Sequence, residues 1–299
     1  MDAPSSFRQL TNPSPKPQSQ TEIEARLRLS SPEEGERNAG RVEYRQYLDA
    51  PQTSRQLCRM SETLSGQSVL VTGASAGIGK ATVAALVAAG ARVLATGRRR
   101  DALDALVGIH GAQSVETMAG DINDEGFVAE LAARARHIDI LVNNAGVLTY
   151  APLMDMTYAD TEAMFVTNVL ASFRVMHAVA KHMIARRRGH IIVMSSTAAR
   201  EVYRLGVIYC ATKHALSALT RGFRIELQGH GIKVTEIAPG MVDTDIRNAS
   251  PHPAVQAALS ARKFEPLTPQ EVADAVVHAA GSSPSCVPDL VELRPLGAA

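Results

Sequence analysis

The sequence predicts an α/β chain: a doubly wound parallel sheet of seven strands flanked by helices, forming a single domain behind a disordered N-terminal extension. Three observations predict it. From Gln67 onward, short Val/Ile/Leu runs alternate with Ala-rich stretches of helical period, as strands buried on both faces and joined by crossover helices do. The first run, VLVTGASAGIG, ends in a glycine-rich turn that opens a helix. Ahead of it, residues 1–65 are rich in Pro, Ser, Gln and charge, and ordering them would cost more conformational entropy than their few apolar side chains could return.

The elements follow in order. Residues 1–65 read as the disordered extension and 66–299 as the folded domain; Met60, just before SETLSGQSVLVTG, is an alternative initiator. Strands are expected at SVLVTG (68–73), ARVLATG (91–97), SVETMAG (114–120), IDILVNNAG (138–146), HIIVMSS (190–196), KVTEIAPG (233–240) and DLVELRP (289–295). Helices are expected over 78–89, 101–109, 124–135, 157–187, 209–229 and 269–281, with no solenoid-type repeat.

Composition narrows the partners. A chain of 299 residues buries a sizeable core in one large domain. Its 31 basic and 30 acidic residues leave a formal charge of +1, which gives no reason to expect nucleic acid or an anionic membrane and leaves a small molecule as the partner. Cys58, Cys210 and Cys286 are scattered, without metal-ligand spacing, and suit a reducing compartment. His177, His182 and His190 lack acidic co-ligands, so no metal is expected. No apolar run of membrane-spanning length and no secretory signal stand out, and a soluble, cytoplasmic protein is the expectation. The basic run ARRRG (185–189) lies where a helix C-terminus favours cations.

Two motifs carry chemistry. In the turn after the first strand, Gly73 allows a tight bend, Gly77 lets backbone approach a pyrophosphate, and Gly79 lets helix pack closely on strand. The spacing Gly-x-x-x-Gly-x-Gly departs from the common Gly-x-Gly-x-x-Gly fingerprint. A structural loop also accounts for the glycines alone, but the strand-turn-helix setting favours a Rossmann-like dinucleotide site. In IYCATKHAL, Tyr209 and Lys213 stand four residues apart on a helix and share a face. Free tyrosine ionises near pH ~10; a cation about 5 Å away at an effective dielectric of ~20 contributes roughly 3 kcal/mol, or about two pK units, which makes a working acid/base. A core-facing tyrosine beside a solvated lysine is the plainer alternative.

Together TGASAGIG (72–79), NNAG (143–146), Asn168, Ser196, YCATK (209–213) and PGMVDT (239–244) resemble the short-chain dehydrogenase/reductase family, over about residues 66–295. The resemblance implies an NAD(P)-dependent oxidoreductase acting on CH–OH groups, with Asn168, Ser196, Tyr209 and Lys213 catalytic. Tyr209 would protonate a carbonyl as hydride arrives, or act as base in reverse. Ser196 would steady the substrate oxygen, with Ser195 and Thr197 as neighbours able to do the same. Lys213 would lower the tyrosine's pKa and, with Tyr209, hold the nicotinamide ribose; the Asn168 amide would reach a water that relays protons to Lys213. For the cofactor, the resemblance implies Gly73, Ser75, Gly77, Ile78 and Gly79 in the turn. Asp121, at the adenine, and Ile122 follow the third strand. Asn143, Ala145 and Gly146 would close the floor, and Pro239, Gly240, Val242 and Thr244 would meet the nicotinamide. Asn143 as a strand-end stabiliser and Thr244 as a turn hydroxyl remain alternatives.

NADP(H) is expected over NAD(H). At the end of the second strand, TGRRR puts Gly97 where an NAD-preferring relative carries an acid, and Arg98 follows it to meet a 2′-phosphate. The segment 247–266, RNASPHPAVQAALSARKFEP, is the expected substrate lid; with little aromatic or continuous apolar surface, it favours a small polar carbonyl or alcohol over a steroid or acyl chain. The C-terminal segment is similar to 3-hydroxy acid and ribitol-type dehydrogenases. Tyr150, Arg200, Tyr203 and Arg204 lie in loops that could face substrate, where an arginine suits a carboxylate, or could be surface residues. Pairing through the two long helices makes a homotetramer the first expectation and a dimer the second. Other readings are a dehydratase or epimerase on the same fold and a non-catalytic NADP-binding regulator.

Overall fold

Seven short runs rich in Val, Ile and Leu decide the architecture. The computed structural model describes residues 64–247 and 250–298. Its strands are β1 (Ser68–Thr72), β2 (Arg92–Gly97), β3 (Val115–Ala119), β4 (Ile140–Asn143), β5 (Gly189–Met194), β6 (Ile232–Pro239) and β7 (Leu290–Leu293). They form one all-parallel sheet in the order β3-β2-β1-β4-β5-β6-β7, the expected seven-stranded, doubly wound architecture.

The helices are α1 (Gly77–Ala88), α2 (Arg100–His110), α3 (Glu125–Arg134), α4 (Tyr158–Phe165), α5 (Ser172–Arg186), α6 (Val207–Leu227), α7 (Pro253–Ser260) and α8 (Pro269–Ala280). Each strand sends alternate residues to opposite layers. Val69, Val71, Ile192 and Ile237 meet Val83 and Leu86 of α1, Leu103 and Leu106 of α2, and Val272 and Val276 of α8. Leu70, Leu141, Ile191 and Val234 meet Leu131 of α3, Val175, Met176, Val179 and Met183 of α5, and Leu216 and Leu227 of α6. Several helix starts are written locally. Asp124 caps α3 by accepting from Phe127 N, Thr157 caps α4, and Thr268 and Glu271 form a capping box around Pro269 at the start of α8.

The structure departs from the sequence reading at several places. The folded domain begins earlier than residue 66: Leu64 is 2% exposed and its amide donates to Ala89 O at 2.9 Å. The rest of the expected disordered extension, Met60 included, lies outside the described residues. The long helix over 157–187 is three pieces, because a π-helical segment, Val166–Ala171, separates α4 from α5. The run Tyr158–Arg186 is also, by length and composition, apolar enough to cross a membrane (29 residues, mean hydropathy 1.4), contrary to the reading that no such run exists. Its apolar side chains pack on the sheet through α5. The lid contains a helix, α7, started by Pro253 behind a His252 cap, which the sequence reading did not anticipate.

Because β1 has β2 on one side and β4 on the other, the connections leaving their carboxyl ends diverge and open a crevice, where ligands bind in such sheets.

Candidate active site

At those carboxyl ends lies a cavity of about 880 Å³, near the upper end of the size range of small-molecule sites. The glycine turn forms one wall. Gly73 and Gly77 have φ of +66° and +50°, values that strain any residue with a Cβ. A Cβ on Gly79 would stand 2.1 Å from Gly73 O, and one on Gly77 would stand 3.1 Å from Thr244 Cγ2. The bare backbone thus makes the cradle. The first turn of α1 has no side-chain cap and no acidic residue, so its leading amides and the positive end of its dipole face the cavity unneutralised, a donor set that suits a pyrophosphate.

Ser75, Ile78, Arg98, Asp121, Ile122, Ala145, Gly146, Pro239, Gly240, Val242 and Thr244 stand on the cavity wall with the three glycines, as do Ser196, Tyr209 and Lys213. At the β2 end, Arg99 stands beside exposed Arg98, and its Nη2 donates to Ser75 O at 2.8 Å, a tie the sequence reading missed. Asp121 accepts from Asn123 N at 2.9 Å, which turns the chain after β3.

Asn143 and Asn168 do not line the cavity. Asn143 is buried at the end of β4, off the cavity wall, and its amide nitrogen and oxygen have no partner among the described residues. Asn144 takes the position on the wall. Its Nδ2 donates to Thr72 O at 2.9 Å and Gly73 O at 3.3 Å, while Thr72 Oγ1 accepts from the amides of Asn144 and Ala145, both at 3.0 Å. This lock between the ends of β1 and β4 was missed; the Thr-Gly and Asn-Asn pairs are its only sequence signal. Asn168, in the π segment, is fully buried and also off the wall. Its Nδ2 donates to Val147 O (2.9 Å) and Thr212 Oγ1 (3.2 Å), and its Oδ1 accepts from Val147 N (2.8 Å). Both N–H groups are engaged within the protein, so the amide clamps the β4 loop to α6.

Ser196 follows β5 and caps a 3-10 turn, Thr197–Ala199; its Oγ accepts from Ala198 N at 3.1 Å and donates to Pro239 O at 3.3 Å. Tyr209 and Lys213 share a face of α6, with Lys213 Nζ 5.8 Å from the phenol ring centroid, close to the separation read from the spacing. Tyr150 stands edge-on to Tyr209, ring centroids 5.9 Å apart. Thr197 Oγ1 is hydrogen-bonded to Tyr203 OH. Burial raises the Cys210 thiol's pKa, so this residue packs and does not react.

Lys213 is 6% exposed and donates to Met194 O at 3.0 Å. Burial pushes its pKa down from 10.5 to about 8, opposed by Glu236. The ammonium is thus charged at neutral pH and lost above about 8. Between about 8 and 10.5 an unfolded chain binds this proton and the folded one does not, so this residue's contribution to stability rises with pH across that window. Below it, burying the charge costs about 3 kcal/mol. Lys213→Met, which also forfeits one hydrogen bond, is therefore expected to raise stability at pH 7 by about 1–2 kcal/mol and to lose that gain near pH 10. Urea melts at the two pH values check it.

The opposite wall is more apolar than the lid sequence suggested. Leu148, Met241, Val255, Leu259 and Phe264 face the cavity, two of them from α7. Tyr150, Tyr203 and Arg204 line it. Arg200 does not: it lies against Glu236 at 3.1 Å and Glu292 at 3.7 Å, under the sheet's edge. Among the described residues, no three or more His, Cys, Asp or Glu side chains are grouped to hold a metal ion. His190 is buried and bonded to Thr235 Oγ1 at 2.8 Å, with its pKa pushed down to about 3 by burial and Lys233.

The model of the short chain dehydrogenase family matches residues 67–254. An uncharacterized short-chain type dehydrogenase/reductase of Sinorhizobium fredii is 43% identical over 178 residues, 59% of this chain and 70% of that protein. Among solved structures, the closed form of a serine dehydrogenase complexed with NADP+ is 31% identical with a TM-score of 0.70, over 76% of this chain and 94% of the other. A metagenomic short-chain oxidoreductase in complex with NADP is 33% identical with a TM-score of 0.65, over 78% and 98%.

Proposed function

The chain belongs to the short chain dehydrogenase family, and from that premise we propose that it is an NADP(H)-preferring reductase or dehydrogenase of small polar carbonyl compounds and their alcohols. It is an oxidoreductase of CH–OH groups that works by hydride transfer with NAD(P)H. The observation that carries the finer reading is the grouping of Ser196, Tyr209 and Lys213 on a cavity whose other wall is the bare glycine turn.

When bound, the nicotinamide supplies or accepts the hydride. Tyr209 donates its phenolic proton to the carbonyl oxygen as the carbon is reduced, and takes a proton back from the alcohol in the reverse direction. Ser196 Oγ turns from Pro239 O to donate to that same oxygen and fixes its position. The Lys213 ammonium attracts the negative charge left on the phenol oxygen. Leu148, Met241, Val255, Leu259 and Phe264 exclude water around the reacting carbon. Arg204, exposed at the cavity and in no ion pair among the described residues, suits a substrate carboxylate, which supports a hydroxy acid within the class; the serine dehydrogenase acts on one kind of hydroxy acid.

NADP(H) preference is supported by Arg98 and Arg99 beside Ser75, and by Gly97, where a Cβ would already stand 3.2 Å from Ser75 Oγ. Arg98→Asp is expected to lower the NADPH-to-NADH ratio of kcat/KM by about 10- to 100-fold. Parallel assays with the two cofactors read that ratio. Leu170, Phe173 and Ile225, exposed on the π segment, α5 and α6, support a homotetramer, with a dimer second. The function is tested by following NADPH absorbance against a panel of aldehydes, ketones, hydroxy acids and polyols. Binding of NADPH without turnover of any member overturns the reading.

A further inference from the structure

The reaction above leaves one buried carboxylate without a role. Glu236 on β6 is 2% exposed. Its Oε2 accepts from Ser217 Oγ at 3.0 Å and meets Arg200 Nη2 at 3.1 Å, while its Oε1 is buried with no partner among the described residues. Ser217 stands one helical turn beyond Lys213 on the same face of α6. The Lys213 amine is bonded to Met194 O, and Met194 pairs with Ile237, the neighbour of Glu236. A buried carboxylate and a buried amine thus face one another's elements across the α6–β6 contact.

The charges around this contact continue to the cavity mouth. Arg200 reaches Glu292 at 3.7 Å, and Arg294 joins Glu292 (2.7 Å) to Glu201 (2.5 Å); Glu201 and Arg294 line the cavity. Three cations, Lys213, Arg200 and Arg294, balance three carboxylates, Glu236, Glu292 and Glu201. Of the other titratable groups around Lys213, Tyr209 shares its helix face with the ring centroid 5.8 Å away and is a phenol, not a carboxylate, while His214 is bonded to Cys210 O. The π segment presents the neutral Asn168. On α4, Asp160 is bonded to Thr157 and Glu162 is exposed. On α5, Arg174 pairs with Glu125 at 2.9 Å, Arg186 is bonded to Ile138 O, His177 stacks on Phe173, and Lys181 is exposed. Glu236 is the carboxylate that answers the buried amine.

We propose that Glu236 is a positioning residue that keeps the Lys213 side chain protonated under Tyr209, and that Arg200 tempers it by sharing its charge. Without the carboxylate, nothing opposes the cost of burying the Lys213 ammonium, and the amine gives up its proton more readily; Arg200, paired with the same carboxylate, draws part of that charge to itself. That Glu236 thereby matters to turnover rests on the reading of Lys213 under Proposed function; its hold on the amine does not.

The test uses the full chain labelled with 13C at lysine Cε, the Lys213 signal being identified by its loss in Lys213→Arg. In the parent protein its NMR titration is expected to centre near 8. Glu236→Gln, which keeps the shape and an acceptor, is expected to lower the midpoint by about one unit or more. Arg200→Gln, at a half-exposed side chain, is expected to raise it, and serves if the Glu236→Gln protein does not fold. In NADPH-dependent reduction, the alkaline limb of kcat/KM is expected to move in the same directions. A Lys213 midpoint that stays put in a folded Glu236→Gln protein, or in Arg200→Gln if that alone folds, overturns the proposal. Absence of turnover in the parent would overturn the proposed function instead, and leaves the NMR midpoint to decide Glu236.

Discussion

Tyr209→Phe is expected to lower NADPH-dependent turnover by about three orders of magnitude while cofactor affinity changes little. General acid catalysis from one positioned side chain is worth about 10²- to 10⁴-fold, and the substitution removes only the phenolic oxygen. What remains keeps the site intact. The phenylalanine ring retains the edge-on contact with Tyr150 and its place 5.8 Å from Lys213 Nζ, so α6 is not disturbed. The glycine turn and the α1 amides, on the other wall, are untouched. Single-turnover kinetics separate this from a binding defect: the rate of the chemical step falls, and NADPH titrated by its fluorescence still saturates at parent concentrations. Parent-like turnover in the phenylalanine protein would return Tyr209 to the role of a packing residue.

Much of the fold was legible because a parallel sheet buried on both faces writes itself as unbroken apolar runs, and all seven runs became strands. Their limits were less legible. The fourth run was read through Gly146, but β4 stops at Asn143, because Asn144 and Ala145 leave the ladder to bond Thr72. That competition is between partners remote in sequence, and no local signal announces it. The π segment was hidden for a different reason. One inserted residue barely alters a 3.6-residue pattern, and Asn168, a poor helix former, was its only trace.

The candidate site divides the same way. Ser196, Tyr209 and Lys213, at a strand end and on a helix face, line one cavity, since element geometry fixes their direction. Side chains whose direction depends on a distant partner did not. Arg200 was read as a possible substrate contact, yet Glu236 and Glu292, on strands that follow much later in the chain, draw it away from the cavity. The lid was read as polar because its apolar residues are scattered; folded into α7 and the stretch behind it, Val255, Leu259 and Phe264 converge on one wall.

Gly79→Ala is expected to cost about 2–3 kcal/mol of stability and to weaken NADPH binding by 100-fold or more, roughly 3 kcal/mol. The added Cβ would stand 2.1 Å from Gly73 O, 2.8 Å from Gly73 C and 2.6 Å from Asn144 Nδ2. Two of those atoms are backbone, and Gly73 is held by the end of β1 and by Ala145, whose Cα lies 2.8 Å from where a Gly73 Cβ would be. Gly73 cannot retreat, so α1 must, by about 1 Å. That move opens the contacts of Val83 and Leu86 with the sheet and with α8, and carries the leading amides of α1 away from the pyrophosphate position. Gly108, inside α2, supplies the contrast: nothing lies within 4 Å of its Cβ position, so Gly108→Ala should stabilise by about 0.5–1 kcal/mol and leave cofactor binding alone. If the turn is the cradle, thermal melts of the two proteins shift in opposite directions, and NADPH titrations show a loss for Gly79→Ala and no change for Gly108→Ala. An alanine at 79 that binds NADPH at parent affinity would mean that the close approach of helix to strand has no part in holding the cofactor.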